Sequence, residues 1–119
     1  MLFRSKGILI LGTSAGAMIL GEFYFSAKYG TISSEEAMAN PDEERICIEK
    51  KYVNIPCLKD TLVESHYRNR DRQGRLKIFL QKAGPTAKGI GLDESAALCI
   101  SKKKREVVGV DGVHYMTQN

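Results

Sequence analysis

The stretch that most restricts this 119-residue chain is "ILILGTSAGAMIL", Ile8 to Leu20, where an apolar run breaks on small residues and then resumes. "KGILIL" has the aliphatic succession of a short buried strand, and "AGAMILGEFYF" reads as a helix that begins directly after Ser14. Between them Gly12, Thr13, Ser14, Ala15 and Gly16 fit G-x-S-x-G, a pattern that requires strand, sharp turn and helix in succession. A serine at the point of such a turn has a strained backbone, so its neighbours must lack bulk. Gly12 and Gly16 are read as the space in which strand and helix cross. The Ala15 amide, at the helix start, then points toward an oxyanion formed at the Ser14 hydroxyl.

Two blander readings compete. The first is a glycine-rich turn that binds a phosphate or merely packs, although no Gly-Lys-Ser/Thr follows to make a phosphate loop. The second is a secretory signal, with Arg4 and Lys6 ahead of the apolar run; "GTSAG" interrupts that run, and aromatic "EFYF" stands where a cleavage site needs small residues. The clean apolar run is also short of the roughly 20 residues of a membrane span, so no membrane partner is expected.

The rest of the chain sets the frame. Its length suits one modest domain, and 43% hydrophobic with 27% charged residues excludes a disordered chain. A net charge of +4 suits an anionic substrate or a nucleic acid and identifies neither. Cys47, Cys57 and Cys99 lie far apart with no CxxC spacing, which reads as reduced thiols in a cytoplasmic protein without a zinc site. "AKYGTISSEEAMANPDEE" reads as a surface loop with one helical turn, "RICIEKKYVNI" as an edge strand or loop, and "DTLVESHY" as a second buried strand. "DRQGRLKIFLQKAG" is the clearest helix: Leu76, Phe79, Leu80 and Ala83 recur at helical spacing, Asp71 can cap it, and Gly84-Pro85 stops it. "KGIGLDE", "AALCIS" and "EVVGV" are strand-like, with "KKKR", Lys102 to Arg105, as a solvated hairpin tip between the last two. This order predicts an α/β fold with a mainly parallel sheet sandwiched by helices. The chain opens on what reads as a central strand, which needs paired edges, so the sheet is expected to be incomplete.

A serine nucleophile needs a base. His114, in "DGVHYM", has no polar partner nearby in sequence and reads as structural or exposed. His66 stands at the end of a predicted strand, where open α/β sheets place their sites. Arg70, Arg72 and Arg75 follow it, the latter two near a helix start, and together form a receptor suited to carboxylates. The alternative is a solvated basic helix start, whose surface ion pairs are worth little. The orienting acid is Asp93 or Glu94. Neighbours on a strand face opposite ways, so only one can meet His66, and the pattern leaves the choice open.

"GTSAGA", "ESHYRNRDRQGRL" and "GIGLDESAAL", in that order, resemble the cyanophycinase branch of the aspartyl-dipeptidase-type serine peptidases. That branch carries G-T-S-A-G-A, D-Q-H-F-x-x-R-x-R-x-x-R-L and G-I-D-E, and the resemblance runs from about Ile8 to Asp111. It implies a flavodoxin-like sandwich of the class I glutamine amidotransferase type. It also implies Ser14 as nucleophile, His66 as base, Glu94 as orienting acid and the Ala15 amide as oxyanion donor, with Glu64, Ser65, Arg70, Arg72 and Arg75 in the substrate pocket. The implied reaction is hydrolysis of a peptide or isopeptide bond next to aspartate, without metal or cofactor. Cyanophycin, a polyaspartate backbone bearing arginines, is among the implied substrates. A homodimer is the other partner expected, and nucleic acid is disfavoured. Three positions depart from the family: Leu11 replaces a glycine, Glu64 an aspartate and Ser65 a glutamine. The family's upstream strands, one pocket residue and a second oxyanion donor have no counterpart here, so residues 1–119 are expected to form a single partial domain. The competing function is a non-catalytic anion- or nucleic-acid-binding module, or an inactive segment of the peptidase.

Overall fold

The computed structural model describes residues 9–50, 55–101, 104–110 and 112–118. Arg4, the first half of "KGILIL", residues 51–54 of "RICIEKKYVNI", two lysines of "KKKR" and Asp111 lie outside the described residues. Residues 9–11, the described half of the expected first strand, have no regular structure. A strand needs a neighbour for its amides. Here Ile10 tucks against the core while Leu9 and Leu11 are 85% and 83% exposed.

The elements are α1 (Ala15–Met18), β1 (Phe23–Phe25), α2 (Ser34–Ala39), β2 (Ile48–Lys50), a 3-10 turn (Pro56–Leu58), β3 (Thr61–Glu64), α3 (Gln73–Ala83), β4 (Lys88–Leu92), β5 (Ala96–Ile100), β6 (Arg105–Gly109) and β7 (Val113–Met116). The helix expected after Ser14 is therefore a single turn. Phe23, Tyr24 and Phe25 leave it for a strand, the state that aromatic residues favour.

A five-stranded sheet runs in the order β2-β1-β3-β4-β7. Its centre is parallel, β1 to β3 and β3 to β4, and its edges β2 and β7 are antiparallel. β5 and β6 form a separate antiparallel hairpin. The fold is α/β, as expected, but the sheet is mixed rather than mainly parallel. The difference lies at the edges, because β2 returns along β1 and β7 returns along β4 after the hairpin. β7 carries His114 and has no counterpart among the strands expected from sequence.

The two faces of the sheet are covered differently, which corrects the expected sandwich of helices. On one face α2 and α3 pack over Phe25, Leu62 and Ala87, and Leu76, Phe79 and Leu80 of α3 are fully buried. Tyr67 packs directly on β4 because Gly91 has no side chain: a Cβ there would stand 2.4 Å from the Tyr67 ring. The other face is covered by the 3-10 turn and the β5–β6 hairpin, through Ile55, Leu58, Ile90, Leu98 and Ile100. All four residues of β3 are buried, as a central parallel strand requires.

Both longer helices start on serines of one short segment. Ser33 Oγ accepts the Glu36 N–H while the Glu36 carboxylate accepts the Ser33 N–H, each at 3.1 Å, which caps α2 reciprocally. α3 is not capped by Asp71, as expected, since Asp71 turns to φ 47° and Arg72 occupies the cap position. Ser34 of α2 does this work from outside, accepting the Arg75 N–H at 3.0 Å and donating to the Asp71 carbonyl. Among the described residues no helix is long and apolar enough to cross a membrane.

Candidate active site

Ser14 sits at φ 51°, ψ −123°, immediately before α1. Such angles cost a non-glycine residue about 1–3 kcal/mol and persist only where the surroundings over-determine them. Gly12 is part of that constraint: a Cβ on it would stand 2.5 Å from the Gly16 carbonyl oxygen. Gly16 is not, because a Cβ there would meet nothing within 4 Å. The close crossing thus depends on one glycine of the pair, not both. Ala15 is exposed and occupies the first helical position, where a backbone N–H has no acceptor inside its own helix.

His66 follows β3 by two residues and also has positive φ, 49°. Its Nε2 lies 3.0 Å from Ser14 Oγ, and its Nδ1 lies 2.9 Å from Glu94 Oε1. An ionised carboxylate only accepts, so Nδ1 carries the ring proton. In the neutral ring Nε2 then has its lone pair toward Ser14, and the serine hydroxyl donates to it. That tautomer can take the hydroxyl proton as the oxygen attacks a carbonyl. Ser14 and Ala15 are exposed, and the His66 and Glu94 side chains are 22% and 46% exposed, so the line of contacts is open to solvent.

Adjacent acids face different ways, although both lie beyond the end of β4 rather than on a strand. Glu94 meets His66. Asp93, 3% exposed, turns away to accept hydrogen bonds from the Arg68 backbone and guanidinium, the Gly112 N–H and His114. Burial works against its charge, but the donors from His114, Arg68 and Gly112 outweigh it and hold the carboxyl well below the usual range. His114, read from sequence as lacking a polar partner, is 2.8 Å from Asp93 and stacks on Tyr67 with centroids 5.0 Å apart. Arg68 and Asn69 were also missed. Asn69 Oδ1 accepts the Glu94 N–H at 3.1 Å and fixes that turn. Partners 21 to 25 residues distant leave no local signal in the sequence.

The expected substrate pocket divides. Glu64 and Arg75 are buried, at 0% and 2% exposure, and bind each other through two hydrogen bonds of 2.7 and 2.8 Å. Arg75 also donates to the Ile32 carbonyl and lies against the stacked rings of Phe25 and Phe79. This pair belongs to the interior on the helical face, not to the surface around Ser14. Arg72 leans on it, donating to Glu64 at 3.3 Å and to the Ser65 carbonyl at 3.0 Å. Burial and the neighbouring Arg75 charge lower the Arg72 pKa, with Glu64 opposing them. Arg70 is exposed. Ser65 is buried, and among the described residues its Oγ is the buried side-chain oxygen that lacks a hydrogen-bond partner.

A cleft of about 610 Å³ adjoins the exposed line. Ser14, Ser65, His66 and Glu94 line it on one side, and Leu58 and Leu98 contribute to an apolar wall. Among the described residues no group of three His, Cys, Asp or Glu side chains is arranged to hold a metal ion.

Residues 3–108 match the model of "Peptidase family S51". Cyanophycinases of Synechococcus elongatus and Thermosynechococcus vestitus are each 36% identical to this chain over 83 residues, covering 70% of it and 22% of their own length. The chain therefore spans about a fifth of the curated relatives it matches. No solved structure matches it. A strained serine, a histidine and a carboxylate drawn into one line, within a match that covers most of the sequence, lead to one conclusion: the chain belongs to peptidase family S51.

Proposed function

We propose that this chain is the catalytic segment of a serine peptidase that cleaves an aspartyl peptide or isopeptide bond. Ser14 attacks the carbonyl, His66 takes its proton and later returns it to the leaving amine, and Glu94 holds the imidazole in the required tautomer. The Ala15 N–H stabilises the oxyanion. The observation that carries the reading is the Ser14–His66–Glu94 line, with contacts of 3.0 and 2.9 Å.

On this reading Arg70, exposed beside the site, binds a substrate carboxylate, and Arg72 adds its charge from behind. Ser65 offers an unused hydroxyl to the bound peptide. Glu64 and Arg75 act on substrate only by fixing Arg72 and Ser65. The substrate proposed first is cyanophycin, after which both relatives are named. The assembled sheet is of the flavodoxin-like, class I amidotransferase type, working in the cytoplasm as a homodimer.

The test is fluorophosphonate labelling together with hydrolysis of β-aspartyl-arginine polymer and short aspartyl peptides. Ser14→Ala is expected to abolish labelling and to lower turnover by about 10⁶-fold, as for nucleophile removal elsewhere, while keeping substrate binding. Folded protein without a Ser14 adduct rejects the nucleophile. Binding of anions that weakens steeply with salt and survives Ser14→Ala, in protein without turnover, supports the non-catalytic alternative.

A further inference from the structure

Asp93, the carboxylate that the Ser14–His66–Glu94 line leaves out, gathers three loops. Its Oδ1 accepts the Arg68 N–H at 3.0 Å. Its Oδ2 accepts the Arg68 Nε–H at 2.9 Å, the Gly112 N–H at 3.1 Å and the His114 Nε2–H at 2.8 Å. Two backbone bonds run beside these, from the Tyr67 N–H to the Leu92 carbonyl and from the Asp93 N–H to the Gly112 carbonyl. Arg68 is two residues past His66, and Glu94 is the next residue after Asp93. The cluster therefore grips the chain just after His66 and just before Glu94.

That grip answers a question the site raises. His66 stands at φ 49°, a conformation its neighbours must impose. The N–H groups of the next two residues, Tyr67 and Arg68, are both tied to the end of β4, one to Leu92 and one to the Asp93 side chain. We infer that Asp93 is a positioning residue, pinning the loop after β3 to the turn after β4 so that His66 meets Glu94 through Nδ1 and stays aimed at Ser14. Its effect on reaction rate rests on the peptidase reading; its effect on the His66 geometry does not.

Asp93→Asn is the informative change. It keeps the shape and one acceptor oxygen but sets an NH₂ group against donors that now share a carboxylate. Two readouts separate positioning from a general loss of stability, both taken where circular dichroism shows the variant folded. Fluorophosphonate labelling of Ser14 is expected to slow by about 10- to 100-fold, the scale of a small misplacement of reacting groups. The His66 Nδ1 proton resonance, followed by NMR on histidine-labelled protein, is expected to broaden or vanish. Labelling at the wild-type rate with that resonance unchanged overturns the assignment. If Asp93→Asn does not fold, His114→Phe takes its place, since it keeps a ring against Tyr67 and removes one donor. A smaller loss in the same two readouts supports the role, and no change in either overturns it. If wild-type protein does not label, the peptidase reading falls and the resonance alone decides the role of Asp93.

Discussion

Two carboxylate contacts flank the end of β3, and they have opposite characters. Glu64, the last residue of the strand, is sealed under α3 with Arg75 and shares its charge with Arg72. His66, two residues on, pairs with Glu94 at the rim, where both are partly open to water. Residues two apart on a strand face the same side, so these two serve different ends only because β3 stops at Glu64 and the backbone turns at His66, φ 49°. A buried pair with several hydrogen bonds resists rearrangement and is expensive to break. An exposed pair contributes little to stability, so its geometry is free to serve chemistry.

The sharpest way to break this contrast is to remove one partner from each pair. Glu94→Gln is expected to lower turnover by about 10⁴-fold, because an amide can present its NH₂ group to Nδ1 and favour the wrong tautomer. Its urea unfolding midpoint is expected to stay at the wild-type value. A large loss of stability with turnover intact would assign Glu94 to the scaffold instead. Arg75→Met is expected to do the reverse. It leaves Glu64 buried with only the longer Arg72 contact and costs about 3 kcal/mol, the lower end for a broken buried pair, read from urea unfolding. The variant that remains folded is expected to keep a reactive Ser14.

The contrast also shows why some features were legible in the sequence and others were not. That Ser14 and His66 meet was legible from turn chemistry and the end of a strand, while Glu94 rather than Asp93 as their neighbour came from the family resemblance. α3 was legible from Leu76, Phe79 and Leu80, whose spacing follows directly from the core they fill. Arg75 was read as part of a surface receptor because nothing local tells a guanidinium that faces solvent from one buried against Phe25 and Phe79. The same limit hid the Asp93–His114 contact, and it hid Ser34 as the cap of α3, formed by residues 41 positions apart. The first strand was read from composition alone, and its described part, residues 9–11, is irregular, since a strand exists only with a neighbour.

The smallest effect expected is the response to acid, and it tests whether Asp93 belongs with the scaffold or with the rim. The Asp93 carboxyl lies below its ordinary range because, against the opposing effect of burial, His114, Arg68 and Gly112 all donate to its charged form. The exposed Glu36 carboxyl is lowered to about 2, mainly by the Arg45 guanidinium and then by Ser33. A carboxyl lowered on folding stabilises the folded state above its unfolded pKa, and this contribution is lost as pH falls through the folded value. Stability is therefore expected to be flat from pH 7 to about 5 as far as these groups decide it, and to decline from about pH 4.5 downward. Comparing urea midpoints across that range in wild type and Asp93→Asn isolates the share of one carboxylate. If Asp93 is a brace, the variant starts lower at pH 7 and declines less steeply, so the two curves converge in acid. Parallel curves would mean that the charge on Asp93 contributes nothing to folding, and the three loops would then be held by their backbone bonds alone.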